Sequence, residues 1–161
     1  MKHLFSPWRM KYITKAEKPR GCVFCLAQQQ ADGPENLILA RGQAVFIILN
    51  RYPYTTGHLM IVPFAHVASL DEVTADVRAE LMEEANHAVR ALQAVYHPQA
   101  FNLGINLGAA AGAGVAEHLH LHIVPRWGGD NNFMGVIGET RVLPEDLSET
   151  YQRLGAIWHT C

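Results

Sequence analysis

The chain has 161 residues, of which 49% are hydrophobic, and a formal net charge of −2. That is enough apolar chain for one domain with a real core. No global basic field is present to hold a long polyanion, which argues against DNA or RNA as partner, whereas a small anion needs only a local site. No stretch reaches the roughly 18 apolar residues of a membrane span, and MKHLFSPWRMKYI lacks the apolar core of a secretory leader. The three cysteines, Cys22, Cys25 and Cys161, form no disulfide-like framework and point to a reducing, cytoplasmic compartment.

Residues 1–20 hold six of the thirteen Lys and Arg residues together with Pro7 and Pro19, and read as an N-terminal arm anchored by Trp8 and Tyr12. GCVFCLAQQQ suits a turn and a short helix, and Asp32-Gly33-Pro34 marks a turn. The apolar runs ENLILAR and AVFIILN, separated by Gly42-Gln43, predict a β-hairpin. After the loop RYPYTTG, HLMIVPF predicts a third strand ending at Pro63, with His66 just beyond.

Ser69 to His97 is the main helical region, with Thr74 as its N-cap and Pro98 as its stop. Val77, Leu81, Ala85, Ala88, Leu92 and Val95 recur at steps of three and four and form one apolar face. Glu80, Glu83, Glu84 and Arg90 read as its solvated side. FNLGINLG predicts a strand, AAAGAGVAE a small-residue loop, HLHLHIVPRW another strand, and GGDNNFMGVIGETRVL a loop. Pro144 to Trp158 predicts a terminal helix with Pro144 near its first turn, within a C-terminal extension over 140–161. The whole predicts a single α+β domain over 1–161 with an antiparallel meander, one long helix and a short C-terminal helix.

The chemistry concentrates in His118-Leu119-His120-Leu121-His122-Ile123-Val124. In a strand, alternate side chains share a face, so the three histidines line one side and Leu119, Leu121 and Ile123 the other. Neighbouring imidazoles are then about 7 Å apart, and the row spans a short polyphosphate. In the preceding loop, Gly112 and Gly114 let the backbone approach a ligand, and its N–H groups could cradle phosphate oxygens. From spacing alone, three readings stay open: nucleotide chemistry, a catalytic zinc bound by the histidines, and a chance polar face.

HLHLHIV matches in full the His-φ-His-φ-His-φ-φ signature (φ apolar) of the histidine-triad (HIT) family, which this sequence resembles. LFSPWRMKYI, LNRYPYTTGHLMIVPFAH, FNLGINLG and PRWGGDNNFM are similar to the branch containing diadenosine tetraphosphate phosphorylases and hydrolases. The likeness runs over roughly residues 5–135. It implies a five-stranded antiparallel sheet with a long helix, usually in a homodimer. It also implies that His120 attacks the α-phosphate of an adenine nucleotide and becomes transiently nucleotidylated, with no cofactor required for the chemistry. A neutral imidazole suits that role because its ordinary pKa lies near 6.5. His118 and His122 complete the catalytic set. His122, Asn106 and the Val115 N–H, with Gly114 beside it, are the positions that would hold phosphoryl oxygens. Asn50 matches a ribose-binding position, or is a turn residue; His58 matches a histidine near the site, or is a packed strand-end residue. Val115 stands where many members carry Ser or Thr, so a hydroxyl contact to phosphate is lost. Asn106 replaces the Gln of the fragile-histidine-triad hydrolases.

Cys22-x-x-Cys25 has metal-ligand spacing, but two ligands make no tetrahedral site. The resemblance supplies the others: Cys22, Cys25, His66 and His118 correspond to a structural zinc set in some members, which leaves His120 free. Arg126 could reach phosphate or form a salt bridge, and Trp127 and Phe133 could close over a base or serve the core. The leading function is dinucleoside polyphosphate hydrolysis or phosphorolysis. The alternatives are an adenosine phosphoramidate hydrolase, a nucleotide-binding regulatory module with little turnover, and a zinc enzyme using the triad as ligands.

Overall fold

The structure is a computed structural model of the chain and describes residues 21–130 and 144–161. The N-terminal arm with Trp8 and Tyr12, and Phe133 in the 131–143 segment, lie outside the described residues. Five strands, β1 (Ile38–Arg41), β2 (Val45–Leu49), β3 (Leu59–Pro63), β4 (Ala100–Ile105) and β5 (Leu121–Arg126), form one antiparallel sheet. Among the described residues, three α-helices accompany it: α1 (Val23–Ala27), α2 (Ala75–Tyr96) and α3 (Leu147–Ile157). The strand order β1-β2-β3-β5-β4 is not the simple meander expected. α2 carries the chain from β3 across the sheet to a position one strand too far, and β5 fills the slot. That insertion puts the histidine strand in the interior of the sheet.

β2 and β3 are buried along their whole length, as their unbroken apolar runs require. Leu119, Leu121 and Ile123 join the same core as Leu81, Ala85, Ala88, Ala91 and Leu92 of α2. α2 begins at the Thr74 cap, whose hydroxyl accepts the Val77 N–H, and ends at His97 in the left-handed conformation before Pro98. Glu80 departs from the solvated role expected of it. Its carboxylate accepts the N–H groups of Gln43 (2.6 Å) and Ala44 (3.0 Å) and ties α2 to the β1–β2 turn. α3 starts at Leu147 rather than Pro144, because the Asp146 carboxylate accepts the Glu149 N–H at 2.9 Å and caps it there.

Two details bear on the site. Gly57 has φ +79°, and a Cβ there would lie 2.8 Å from Leu92 Cδ2, so the loop entering β3 can rest directly on α2. β5 joins the ladder only at Leu121, so His118, Leu119 and His120 lie outside it. Leu119 N–H instead donates to Val67 O at 2.6 Å, which pins this segment to the chain just after His66. Among the described residues, no helix is long and apolar enough to cross a membrane.

Candidate active site

At the first histidine, four side chains converge. His118 Nδ1 lies 3.2 Å from Cys22 Sγ, 3.6 Å from Cys25 Sγ and 3.3 Å from His66 Nδ1, and Cys25 Sγ lies 3.3 Å from His66 Nδ1. All four donor atoms are within 4.8 Å of one another. Tetrahedral zinc, with bonds of about 2.0–2.3 Å, sets its ligand atoms roughly 3.3–3.8 Å apart, so the observed spacings fit a Cys₂His₂ centre. The tautomer fits as well. Pro63 O, 2.9 Å from His118 Nε2, requires the proton there and leaves the Nδ1 lone pair facing the sulfurs. Burial and the neighbouring Cys22 thiol push the Cys25 thiol up, so a nearby cation is what would favour the thiolate pair. Among the described residues this is the one group of three or more Cys, His, Asp or Glu side chains able to converge on a metal.

The second histidine is held differently. His120 Nδ1 lies 2.7 Å from the His118 carbonyl, so Nδ1 carries the proton and donates it, and Nε2 keeps its lone pair. Phe24, between the two cysteines on α1, packs against the rings of both His118 (centroids 5.3 Å) and His120 (5.1 Å). Burial lowers the His120 pKa, which keeps the ring neutral at pH 7.

The third histidine belongs to a chain of hydrogen bonds with a fixed direction. Tyr54 N–H donates to His58 Nδ1 (3.1 Å), so His58 carries its proton on Nε2 and donates it to His122 Nδ1 (2.9 Å). His122 must then bear its own proton on Nε2, and the ring offers a donor. Burial, followed by the nearby His120, lowers the His122 pKa to about 4. Asn50 braces the same chain: its amide N–H₂ faces His58 Nδ1 at 3.3 Å, and its Oδ1 accepts the Tyr52 N–H at 2.9 Å.

The histidine row therefore departs from the spacing expected of a regular strand. The His120 and His122 ring centroids are 4.8 Å apart and edge-on, because residues 118–120 leave the ladder and the rings turn toward each other. Nor do the three line an open groove. All are buried, and His122 alone borders a cavity of about 350 Å³ whose other walls include Tyr54, Asn102, Gly104, Asn106 and Arg126. His58 is fully buried behind His122, and Asn50 serves the turn and His58. Asn106 opens into the cavity with no hydrogen-bond partner among the described residues. The N–H groups of Gly114 and Val115, in the loop leading to His118, are likewise without a partner among the described residues. Arg126 is committed to Asp130 through two hydrogen bonds of 2.6 and 2.8 Å. Sequence reasoning missed Phe24, Tyr54, Asn102 and Gly104. The alternation Asn102-x-Gly104-x-Asn106 was the available signal for two of them, since it places three small or amide residues on one strand face.

A histidine row on an inner strand of a five-stranded antiparallel sheet, with phosphate-sized donors around it, defines a class. The HIT domain profile matches residues 32–129, more than half of the chain, and the chain belongs to the HIT family. An AP-4-A phosphorylase of Mycobacterium tuberculosis is 42% identical over 98% of this chain and 85% of its own length. An adenylylsulfatase of Arabidopsis thaliana is 34% identical over 65% of this chain and 52% of that protein. Among solved structures, a Zn-bound histidine triad family protein from Mycobacterium smegmatis matches with a TM-score of 0.69 at 29% identity, over 86% of this chain and 94% of that one.

Proposed function

We propose that the protein is an enzyme that cleaves dinucleoside polyphosphates such as diadenosine tetraphosphate at the α-phosphate, with His120 as nucleophile and inorganic phosphate as the acceptor. The observation that carries this is the His120 tautomer: the His118 carbonyl holds the proton on Nδ1 and leaves Nε2 to attack. The 42% identity to an AP-4-A phosphorylase supports the substrate class and the acceptor.

In the first step, His120 Nε2 bonds to the α-phosphorus while the bond to the bridging oxygen breaks, which releases ATP and leaves an adenylyl-histidine. Charge on the phosphoryl oxygens meets His122 Nε2–H, the Asn106 amide and the Gly114 and Val115 N–H groups. A nucleoside triphosphate departs as an anion and needs no proton, which suits a His122 kept neutral with its pKa near 4. In the second step, phosphate attacks the same phosphorus, frees His120 and yields ADP. Asn50 stands at the end of β2, where the ribose of the attacked nucleotide would lie.

Cys22, Cys25, His66 and His118 are, in this reading, the ligands of a structural zinc, which when bound supplies a closed tetrahedral anchor for α1 and the His118 segment. The thiols must stay reduced to serve it, which fits the cytoplasm. A homodimer would form along β4, an edge strand with most of its residues exposed and Leu103 44% accessible.

The test is turnover of diadenosine tetraphosphate with and without inorganic phosphate, for the wild type and His120→Ala, with products separated by chromatography. ADP formed only with phosphate, and lost on the order of 10⁴-fold or more in the variant, is the expected result. AMP with ATP in the absence of phosphate would make water the acceptor. Cleavage of adenosine phosphoramidates alone would replace the substrate class, and no turnover of any adenylylated compound would overturn the catalytic reading.

A further inference from the structure

We propose that Cys22 and Cys25 are a reversible thiol-oxidation site that takes a peroxide, and that their disulfide moves Phe24 and, through it, His120. The effect on turnover rests on His120 being the nucleophile; the thiol chemistry and the movement of the ring do not.

The pair is placed for a disulfide. Cys22 is the N-cap of α1, and Cys25 stands in its first turn, which the Leu26 N–H closes onto Cys22 O at 3.0 Å. Residues three apart on a helical turn have Cβ atoms roughly 5–6 Å apart, against about 3.5–4.5 Å in a disulfide, so a modest contraction of the turn joins them. Both sulfurs already face one atom, His118 Nδ1, at 3.2 and 3.6 Å. Access to the cluster is one-sided. His118 is buried, both cysteines are half-buried, and His66, 3.3 Å from Cys25 Sγ, is exposed. A small oxidant therefore meets Cys25 on the His66 side, and Cys22, the sulfur nearer His118, is the resolving thiol.

A peroxide alone balances the chemistry. The Cys25 sulfur attacks one peroxide oxygen, the O–O bond breaks, and the departing hydroxide takes a proton and leaves as water. The Cys22 sulfur then displaces the hydroxyl of the Cys25 sulfenic acid, which leaves as a second water, and an S–S bond remains. Two electrons pass from the sulfurs to the peroxide: two thiols and one hydrogen peroxide give one disulfide and two waters. A disulfide sulfur is no longer a thiolate ligand, so His66 and His118 alone would remain, too few for a closed zinc site.

The path to His120 runs through α1, whose two ends are held differently. The far end is tied by Arg41, which donates to Gln28 O and Gln30 O, by the Gln28 amide on Phe64 O and by the Asn36 amide on Ala27 O. Among the described residues, the first turn makes polar contacts to other elements only through the two sulfurs. Contraction at Cys22 and Cys25 therefore swings the residue between them, Phe24, about a fixed far end. Phe24 is buried against His118 and His120, with ring centroids at 5.3 and 5.1 Å. The His120 ring has one hydrogen bond, from Nδ1 to the His118 carbonyl, on a segment without ladder bonds. A ring held this way follows its packing partner, and a displacement of about 1 Å at a reacting group costs on the order of 10²-fold in rate.

The test uses the full chain carrying Cys161→Ser, which leaves Cys22 and Cys25 as the two thiols. The protein is treated with hydrogen peroxide and then with dithiothreitol and zinc. Intact mass, the NMR resonances of the His120 ring (assigned with His120→Asn) and kcat on diadenosine tetraphosphate are followed throughout. The expected result is the loss of two hydrogen atoms without cross-linked chains, a shifted His120 resonance, and kcat lowered roughly tenfold to 100-fold. Dithiothreitol with zinc should restore all three. Phe24→Leu, which lacks the ring contacts, should still form the disulfide and bring the ratio of reduced to oxidised kcat closer to one. Gain of oxygen atoms in place of the disulfide, or a disulfide between two chains, overturns the proposal. So does a Cys22–Cys25 disulfide that leaves the His120 resonance in place, and a Phe24→Leu ratio equal to that of the parent overturns the route through α1. Failure of the catalytic reading looks different: the reduced protein turns over no adenylylated compound, while the disulfide forms and the His120 resonance still shifts.

Discussion

The two ends of the histidine row set the same residue type against different neighbours. At one end, the His118 proton is committed to Pro63 O, and its Nδ1 lone pair faces two sulfurs and His66 at 3.2–3.6 Å. At the other end, His58 Nε2–H donates to His122 Nδ1 at 2.9 Å. One imidazole pair is joined by a proton; the other presents the spacing and the lone pair of a metal site. The proton of each ring is fixed by one backbone group, the Pro63 carbonyl or the Tyr54 N–H, so backbone position decides which end can hold a cation and which can offer a donor. His120 sits between them, and its proton too is held by a carbonyl, that of His118.

The largest break in that comparison comes from removing the metal end. Cys25→Ser, or chelation of the wild type, should release zinc detectable by metal analysis and lower stability by about 3 kcal/mol, or roughly 10 °C in Tm for a chain of this length. Turnover should fall with it. Residues 118–120 have no ladder bonds, and their position depends on the His118 side chain, the Leu119–Val67 bond and Phe24. A purified wild type with no zinc and an unaltered Tm in chelator would show that the four side chains hold together without a metal.

Breaking the proton-linked end should cost activity more than stability. His58→Phe fills the same buried space but cannot donate to His122 Nδ1, so the His122 proton is free to move to the wrong nitrogen. Losing one donor to the phosphoryl oxygens lowers kcat by on the order of 10²-fold, with KM little changed. His58→Gln, whose amide can still donate, should recover part of the loss. Equal kcat in the wild type and His58→Phe would remove His58 from the site.

How much of this was legible in the sequence follows from the range over which each feature is determined. Thr74, the Leu81–Leu92 face and Pro98 act within a few residues, and α2 lies where they place it. The strands were legible as apolar runs, but their order was not, because the insertion of β5 between β3 and β4 depends on where α2 lands. Glu80 read as a solvated residue because its partners, Gln43 and Ala44, are far away in the chain. At the site, the Cys22-x-x-Cys25 spacing pointed to two ligands, the family resemblance supplied His66 and His118, and the structure gathers these four. The direction of each proton could not be read, since it is set by carbonyls and N–H groups that every residue has.

The smallest effect sharpens the comparison by titration. His122 has a pKa near 4 in the folded chain, against about 6.5 for an unperturbed histidine. Above pH 6.5 neither state binds the proton, and the stability contributed by the neutral buried ring is fully present. As pH falls through 6.5 the unfolded chain takes up a proton that the folded chain refuses, so stability declines until about pH 4, below which both states are protonated and the slope ends. Between pH 6 and pH 5 the loss from this group is about 1 kcal/mol. The measurement is the midpoint of urea unfolding across that window for the wild type and His122→Asn, whose amide does not titrate. A shallower slope in the variant, by about one proton, is the expected outcome. Parallel slopes would mean that His122 takes up its proton in the folded state as readily as in the unfolded one, and that the His58 bond does not require a neutral partner.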